Sequence, residues 1–266
     1  MTPVSVLGTG TAPLLVEDRG AEAVPAPSAA RMYDYYLGGK DNYAPDRELA
    51  DRVLATAPFL PRLVRANRAF LRHAARFLAE RAGMRQFLDI GCGLPAPENL
   101  DDIVRRVDPS CRVAYADNDP LVLSHARALL AVDGNTDAFE ADLRDPAALL
   151  AHPALRRLID FDEPVAVLLM SVLHFVTDAE NPWAIMDGLL AGLPPGSHVV
   201  ISHSVRTPEQ DAVAALYREA DVPFTPRAPE AIAELYRDLE PVPCAVHPPG
   251  MGAQVPLACF VGRTSR

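Results

Sequence analysis

Hydrophobic residues in the first third of the chain recur with the period of a helix. Between residues 61 and 82 the apolar positions fall on one helical face, and Gly83 follows as a stop signal. These apolar positions are Leu63, Phe70, Ala74, Phe77 and Leu78. The arginines of the same segment are interpreted as its solvated face: Arg65, Arg68, Arg72 and Arg76. Shorter helices are predicted over residues 28–37 and 46–55. The pattern predicts a helical region over residues 29–83, preceded by a poorly ordered tail over residues 1–28.

The period changes after residue 84, where short apolar runs alternate with helical segments. Strands are predicted over residues 85–90, 112–116, 136–140, 164–170 and 198–202, with two closing strands near residues 242–247 and 257–261. Helices are predicted over residues 97–107 and 229–238, and after the pairs Asp119-Pro120, Asp145-Pro146, Asn181-Pro182 and Thr207-Pro208. The alternation predicts an α/β fold over residues 84–266, with a mainly parallel sheet covered by helices on both faces.

Composition and charge exclude several classes of protein. The 266 residues are 49% hydrophobic, which suffices for a packed core and rules out wholesale disorder. The formal charge is −10, so a nucleic-acid partner is not expected. The longest apolar run, residues 165–173, is too short for a membrane helix. The four cysteines form no CxxC pair, so no disulfide framework or metal site is expected, and we predict a cytoplasmic protein.

Glycines and acids stand at the ends of the predicted parallel strands. Gly91 and Gly93 follow the first strand, in a turn where the backbone can approach a ligand closely. Asp117 follows the second strand, 24 positions beyond Gly93, where an acid can accept the hydroxyl hydrogens of a ribose. Asp142 follows the third strand and could accept from an exocyclic amine, while Leu143 could lie against a flat ring. Because ligands of parallel sheets bind at the carboxyl ends of the strands, these residues predict an adenosine pocket.

With these motifs in order, the sequence resembles the class I S-adenosylmethionine-dependent methyltransferases. More narrowly, it resembles a methyltransferase family of high-GC bacteria that was formerly described as a domain of unknown function. The segments that carry the resemblance are RMYDYYLGGKDN at residues 31–42, FLDIGCGLP at 87–95, DNDP at 117–120, ADLRDP at 141–146 and ISH at 201–203. The sequence departs from the broad class at Pro95, which stands where the third glycine of the turn is usual.

The resemblance implies a Rossmann-like methyltransferase fold with a seven-stranded, mainly parallel sheet and an N-terminal helical lid over residues 29–83. It also implies S-adenosyl-L-methionine as the cofactor. Gly91, Cys92 and Gly93 would face the methionine part of this cofactor, Asp117 its ribose, Asn118, Asp142 and Leu143 its adenine, and Ser171 its sulfonium. The lid would contribute Arg31, Tyr33, Tyr36 and Asn42, with the Arg31 guanidinium paired to the cofactor carboxylate.

His174 and His203, which follow the fourth and fifth strands, are the candidates for a catalytic base. A structural role is the alternative for both histidines. The expected reaction is methyl transfer to a small-molecule acceptor, and the sequence leaves the oligomeric state open. Two other functions fit the same residues. One is an NAD(P)-binding reductase, because residues 91–96 match GxGxxA and Asp117 would serve its ribose equally well. The other is a protein that binds S-adenosylmethionine without transferring its methyl group.

Overall fold

We analysed the fold in a computed structural model of the chain, which describes residues 26–131, 133–243 and 255–265. Most of the predicted tail, residues 1–25, lies outside the described residues. Its last three residues are described, and the Ser28 amide donates to Asp46 Oδ1, in the second helix, at 2.9 Å. Ser28, directly before the first helix, is therefore hydrogen-bonded to the helical region.

The region over residues 29–83 is helical, as its period predicts. It contains α1 (Ala29–Leu37), α2 (Ala44–Thr56) and α3 (Leu60–Glu80). Gly38 ends α1 with a left-handed φ of 83°, a conformation that glycine adopts at little cost. The apolar face of α3 is buried as far as Ala79 and packs against the sheet, so the lid is continuous with the core.

A seven-stranded sheet forms the centre of the molecule. Its strands are β1 (Gln86–Ile90), β2 (Arg112–Asp117), β3 (Thr136–Glu140), β4 (Ala166–Met170), β5 (His198–Ser204), β6 (Leu239–Pro241) and β7 (Leu257–Thr264). They lie in the order β3-β2-β1-β4-β5-β7-β6. The first five strands are parallel to one another, and β7 runs antiparallel between β5 and β6. The order reverses between β1 and β4, which is where such a sheet opens a crevice for ligands.

Helices cover both faces of this sheet, as the alternation predicts. After the lid they are α4 (Leu100–Arg105), α5 (Pro120–Leu129), α6 (Pro146–Ala151), α7 (Pro153–Leu158), α8 (Pro182–Ala191), α9 (Pro208–Glu219) and α10 (Pro229–Ala233). Four of them begin at the predicted proline pairs, because the side chains of Asp119, Asp145, Asn181 and Thr207 accept backbone amides of the first turn. One apolar core lies on each face of the sheet, and a third cluster joins α1 and α2 to α9.

Two predicted elements differ from the structure. The helix predicted over residues 229–238 breaks after Ala233 into a 3-10 turn, Glu234–Tyr236. The closing strand predicted near residues 242–247 begins earlier, as β6, and residues 244–247 lie outside the described residues. No helix among the described residues is long and apolar enough to cross a membrane.

Candidate cofactor and active site

A cavity of about 580 Å³ opens at the carboxyl ends of β1 to β4, beneath the lid. Nine of the residues predicted to bind the cofactor line it: Tyr33, Gly91, Cys92, Gly93, Asp117, Asn118, Asp142, Leu143 and Ser171. They come from the lid and from the turns after four different strands, so the fold brings together residues that are up to 138 positions apart (171 − 33 = 138). A pocket of this size is typical of small-molecule and cofactor sites.

The glycine turn after β1 forms one wall of the cavity. Gly91 and Gly93 have left-handed φ values of 70° and 66°. The Gly91 amide donates to the Ala116 carbonyl at 2.8 Å, which ties the turn to the neighbouring strand. A Cβ at Gly91 would lie 2.5 Å from Val172 Cγ2, so the turn after β1 passes directly against the turn after β4. Glycine at this position keeps the two turns in contact and leaves the backbone exposed to the cavity.

Asp117 is fixed in place at the end of β2. Its Oδ2 accepts the Gly93 amide at 3.0 Å and its Oδ1 accepts the Asp119 amide at 2.9 Å. Burial raises the pKa of Asp117, although these two backbone hydrogen bonds work in the opposite direction. The Cys92 thiol, a weak donor, also donates to Oδ2 at 3.9 Å, and Asp117 and Cys92 both line the cavity. Burial also raises the pKa of the neighbouring Cys92 thiol far above its usual range, so Cys92 lines the cavity as a neutral group.

Asp89 and Arg68 line the same cavity, although neither was among the predicted site residues. The Oδ1 atom of Asp89 is buried and has no hydrogen-bond partner among the described residues. Burial raises the pKa of Asp89 to about 7, and the nearby Arg68 guanidinium opposes that shift. Arg68 is anchored by a hydrogen bond from its Nη2 to the Glu98 carbonyl. Asp89 directly precedes the glycine turn, which was a visible signal, whereas Arg68 was interpreted as part of a solvated helix face.

A network of charged side chains surrounds the end of β3. Asp142 accepts the Arg144 Nε at 2.9 Å through Oδ1 and at 3.0 Å through Oδ2. The side chain of Asn118 also hydrogen-bonds to Asp142. Burial works to raise the pKa of Asp142, but the hydrogen bonds from Arg144 outweigh it and the pKa is lowered. Asp142 therefore presents a fixed, ionised carboxylate beside the buried side chain of Leu143.

The lid is connected to the strand ends by a chain of buried hydrogen bonds. Asn67 of α3 is 2% exposed and donates through Nδ2 to the Tyr33 hydroxyl at 2.9 Å. Its Oδ1 accepts the Ser202 hydroxyl at 2.6 Å. The Ser202 Oγ in turn accepts the Ser171 amide at 2.8 Å, where Ser171 has a left-handed φ of 57°. Tyr33 and Ser171 are thus held at the cavity by Asn67, which the motifs do not include, and by Ser202 of the ISH segment.

Three predicted lid residues lie outside the cavity. The Nε of Arg31 donates to Asp46 Oδ2 at 2.7 Å, and its Nη2 donates to the Ala26 carbonyl. Asn42 is bonded to Asp34 and to Arg47. Tyr36 packs in the apolar cluster that joins the lid to α9. The structure therefore places Arg31 in a buried ion pair with Asp46, and not at a position from which it could meet a cofactor carboxylate.

The two histidines lie behind the cavity wall and do not line it. His203 is fully buried, with its Nδ1 2.8 Å from the Ser204 carbonyl and its Nε2 2.9 Å from Arg227 Nη1. The carbonyl requires a hydrogen on Nδ1, so Nε2 accepts from Arg227 and its lone pair is occupied. Burial lowers the pKa of His203 to about 4. His174 Nδ1 accepts the Ser204 amide at 3.3 Å, and burial lowers the pKa of His174 well below its usual value. Both rings are neutral structural groups in this geometry, and it does not support their use as bases.

Arg227 holds the segment behind this wall together. Its five N–H groups are all used: they donate to the Leu173 and Val176 carbonyls, to His203 Nε2, and twice to Asp178 Oδ1, at 2.6 to 3.0 Å. Arg227 is 2% exposed, and its bonds to Leu173, Val176 and His203 are buried, whereas Asp178 is 60% exposed. Arg227 therefore fixes the turn after β4 through the Leu173 and Val176 carbonyls. This turn contributes four residues to the cavity: Ser171, Val172, Phe175 and Val176.

Comparisons with known proteins agree with this geometry. The family description "S-adenosyl methyltransferase" matches residues 22–250 of the chain. A candidate methyltransferase from Thermobifida fusca YX is 38% identical, with a TM-score of 0.85 over 91% of this chain and 96% of its own. A DUF574 family protein from Streptomyces avermitilis MA-4680 is 37% identical, with a TM-score of 0.85 over 90% of this chain and 98% of its own. No curated protein sequence matches the chain.

A more distant structure shares the fold alone. An O-methyltransferase family protein from Burkholderia thailandensis is 16% identical, with a TM-score of 0.52 over 90% of this chain and 64% of its own. The reductase alternative is wrong, because the family that matches the chain is one of methyltransferases. The sheet agrees with this: β7 runs antiparallel between β5 and β6, whereas a dinucleotide-binding sheet has a sixth parallel strand. The chain belongs to the S-adenosyl methyltransferase family: it has a Rossmann-like methyltransferase fold, and it is an enzyme that depends on S-adenosyl-L-methionine.

Proposed function

We propose that the protein transfers a methyl group to a small-molecule acceptor, and that the cavity at the strand ends binds both the cofactor and this acceptor. Asp117 would accept the ribose hydroxyls through its carboxylate, which lines the cavity. Asn118, Asp142 and Leu143 would surround the adenine. Gly91 and Gly93 would lie against the methionine part, as the glycine turn of the family resemblance implies.

The buried, unpartnered Oδ1 of Asp89 is the observation that carries this proposal. An unsatisfied carboxylate oxygen in a buried wall costs free energy unless a ligand supplies a donor. The amino-acid end of the cofactor carries an ammonium and a carboxylate. Asp89 would accept the ammonium, and the Arg68 guanidinium, which lines the same cavity, would pair with the carboxylate. Arg68 takes the role that the sequence alone assigned to Arg31.

When bound, the cofactor supplies a methyl group that its sulfonium charge already activates. The chain's own residues orient the reactants and exclude water. Apolar side chains from the lid, from the turn after β4 and from residues 221–223 line the rest of the cavity: Leu37, Val172, Phe175, Val222 and Pro223. These side chains would pack against an acceptor with a substantial apolar surface, and they favour a small molecule over a charged polymer.

The ribose assignment is tested with Asp117→Ala. We expect S-adenosylhomocysteine to bind at least about tenfold more weakly, because hydrogen bonds to a charged acceptor are lost. Asp133→Ala removes an acid from an exposed ion pair with Arg105 and should leave the affinity unchanged. Because Asp117 also holds the Gly93 amide, the 2′-deoxy analogue is measured as well. The wild type should prefer the ribose form, and Asp117→Ala should lose that preference. An equal preference in both proteins, measured by calorimetry, would contradict the assignment.

The acceptor class is tested by incubating the protein with methyl-labelled S-adenosylmethionine and an extract of the cells that produce it. Label in the small-molecule fraction supports the proposal. Label found only in protein or nucleic acid contradicts the acceptor class. A protein that binds S-adenosylhomocysteine but labels nothing would favour the alternative of a non-catalytic binder.

A further inference from the structure

Arg144 lines the cavity beside Asp142 and Leu143, at the end that the proposed function assigns to adenine. Its backbone amide donates to Asp142 Oδ1 at 2.9 Å, and its Nε contacts both oxygens of the same carboxylate. One residue therefore fixes Asp142 through the main chain and through the side chain together. A carboxylate held at three points cannot rotate about its terminal bond as an exposed aspartate otherwise would.

The other end of the Arg144 guanidinium is bonded to a different part of the cavity. Its Nη1 donates to Glu180 Oε1 at 2.9 Å. Glu180 Oε2 accepts both the amide and the hydroxyl of Thr177, each at 2.7 Å. Glu180 belongs to the segment that follows β4, whose earlier residues Val172, Phe175 and Val176 line the cavity. Arg144 therefore connects the turn after β3 to the segment after β4.

We propose that Arg144 is a positioning residue that gives the site its preference for adenine. Held by Arg144, whose guanidinium is held in turn by Glu180, Asp142 keeps one orientation and stays ionised where it lines the cavity. This inference rests on the proposed function, in which Asp142 meets the exocyclic amine of adenine. An amine in that place donates to the carboxylate. The carbonyl oxygen of a hypoxanthine ring in the same place would repel it.

The ion pairs of Arg144 are too exposed to solvent to contribute much to the stability of the fold. The side chains of Arg144, Asp142 and Glu180 are 43%, 41% and 31% exposed. Ion pairs this accessible to solvent contribute little to folding stability, because water and salt screen them. Their removal should leave the protein folded while the direction of the Asp142 carboxylate becomes free. The consequence to look for is therefore a change in ligand preference and not a loss of fold.

The experiment compares S-adenosylhomocysteine with S-inosylhomocysteine, which carries an oxygen in place of the exocyclic amine. Both affinities are measured by calorimetry for the wild type, Arg144→Met and Arg144→Lys. The wild type should prefer the adenosyl ligand by at least about tenfold, as expected for one hydrogen bond to a charged group. In Arg144→Met this ratio should fall at least about threefold. Arg144→Lys keeps the charge without the planar fork, and it should recover part of the ratio.

Arg237→Met is the matched control. Arg237 is 42% exposed and contacts both oxygens of Asp187 at 2.7 and 2.9 Å, but it does not line the cavity. This variant should keep the ratio of the wild type. If Arg144→Met weakens both ligands equally and leaves the ratio unchanged, Arg144 is merely structural and the inference is overturned. If the wild type itself does not distinguish the two ligands, the adenine contact of Asp142 fails first, and with it that part of the proposed function.

Discussion

Gly91 and Gly83 offer a direct test of the contact between the turns after β1 and β4. Both glycines have a φ of +70°, so alanine meets the same backbone strain at either position. The surroundings differ. A Cβ at Gly83 would meet nothing within 4 Å, whereas a Cβ at Gly91 would lie 2.5 Å from Val172 Cγ2 and 2.9 Å from Val172 Cβ. Comparing the two variants therefore isolates the steric effect from the backbone effect.

The expected magnitudes follow from these two contributions. The left-handed conformation costs an alanine about 1–2 kcal/mol, which is the expected destabilisation in Gly83→Ala. At Gly91 the Cβ also overlaps a β-branched side chain whose atoms adjoin the backbone, and overpacking of this kind typically costs about 1–3 kcal/mol more. Gly91→Ala should therefore lower the free energy of unfolding by about 2–5 kcal/mol. Gly91 and Val172 both line the cavity, so the displacement of their turns in Gly91→Ala should also weaken the binding of S-adenosylhomocysteine at least about tenfold.

The assays are urea unfolding and calorimetric titration of the two single variants, Val172→Ala, and the double variant Gly91→Ala/Val172→Ala. Removing Val172 Cγ2 takes away the shorter of the two overlaps, so the double variant should be less destabilised than the sum of the single ones, by about 1 kcal/mol. Equal stability and equal ligand affinity of Gly91→Ala and Gly83→Ala would refute the reasoning. Strict additivity with Val172→Ala would do so independently.

Two titrating groups supply further predictions. The native His203 has a pKa of about 4, below the ordinary value of 6.5, so the unfolded chain binds the proton that the native chain refuses. Stability should therefore fall as the pH drops from 6.5 towards 4, by about 3 kcal/mol in total for this group, and urea midpoints of His203→Gln should show a shallower decline. Asp89, with a pKa of about 7 in the free protein, should lose its proton when a ligand ammonium binds. Calorimetry near pH 6.5 in buffers of different ionisation heat should detect proton release on binding S-adenosylhomocysteine, and Asp89→Asn should abolish it.

The elements could be predicted from the sequence where local signals determine them. The strand β3 has the predicted bounds, Thr136–Glu140, because a short segment that follows the turn residues Gly134 and Asn135 is a local pattern. The caps at Asp119, Asp145, Asn181 and Thr207 are local in the same sense. The glycines and acids at the cavity were also predictable, since the parallel sheet brings its strand ends to one edge. The early start of β6 was not, because its pairing with β7 joins segments that are distant in sequence.

The supporting residues could not be predicted, because each one acts through a partner far along the chain. Asn67 and Ser202 are 135 positions apart and meet in one hydrogen bond. Arg227 reaches Leu173 across 54 positions. Asn67 and Arg227 belong to no motif, and although Ser202 stands in the ISH segment, that motif does not indicate its partner. What makes these residues important is complete burial together with complete hydrogen bonding, and both properties exist only after the chain has folded.

Two pairs, each of a lid arginine and a buried carboxylate, show how structural and ligand-binding roles separate. Asp46 is fully buried, yet it accepts the Ser28 amide, the Tyr43 amide and the Arg31 Nε, so the chain itself satisfies the carboxylate. Asp89 of β1 is also buried, but its Oδ1 has no partner among the described residues, and Asp89 lines a common cavity with Arg68. Removing a partner from the first pair leaves a buried charge unpaired and destabilises the fold. The second pair lacks part of its hydrogen bonding until a ligand arrives, which is the arrangement a binding site requires. Both arginines lie on lid helices, but Arg68 lines the cavity and Arg31 does not, and the Asp89 carboxylate beside Arg68 has an oxygen without a partner among the described residues. Both differences assign Arg68 rather than Arg31 to the proposed cofactor contact.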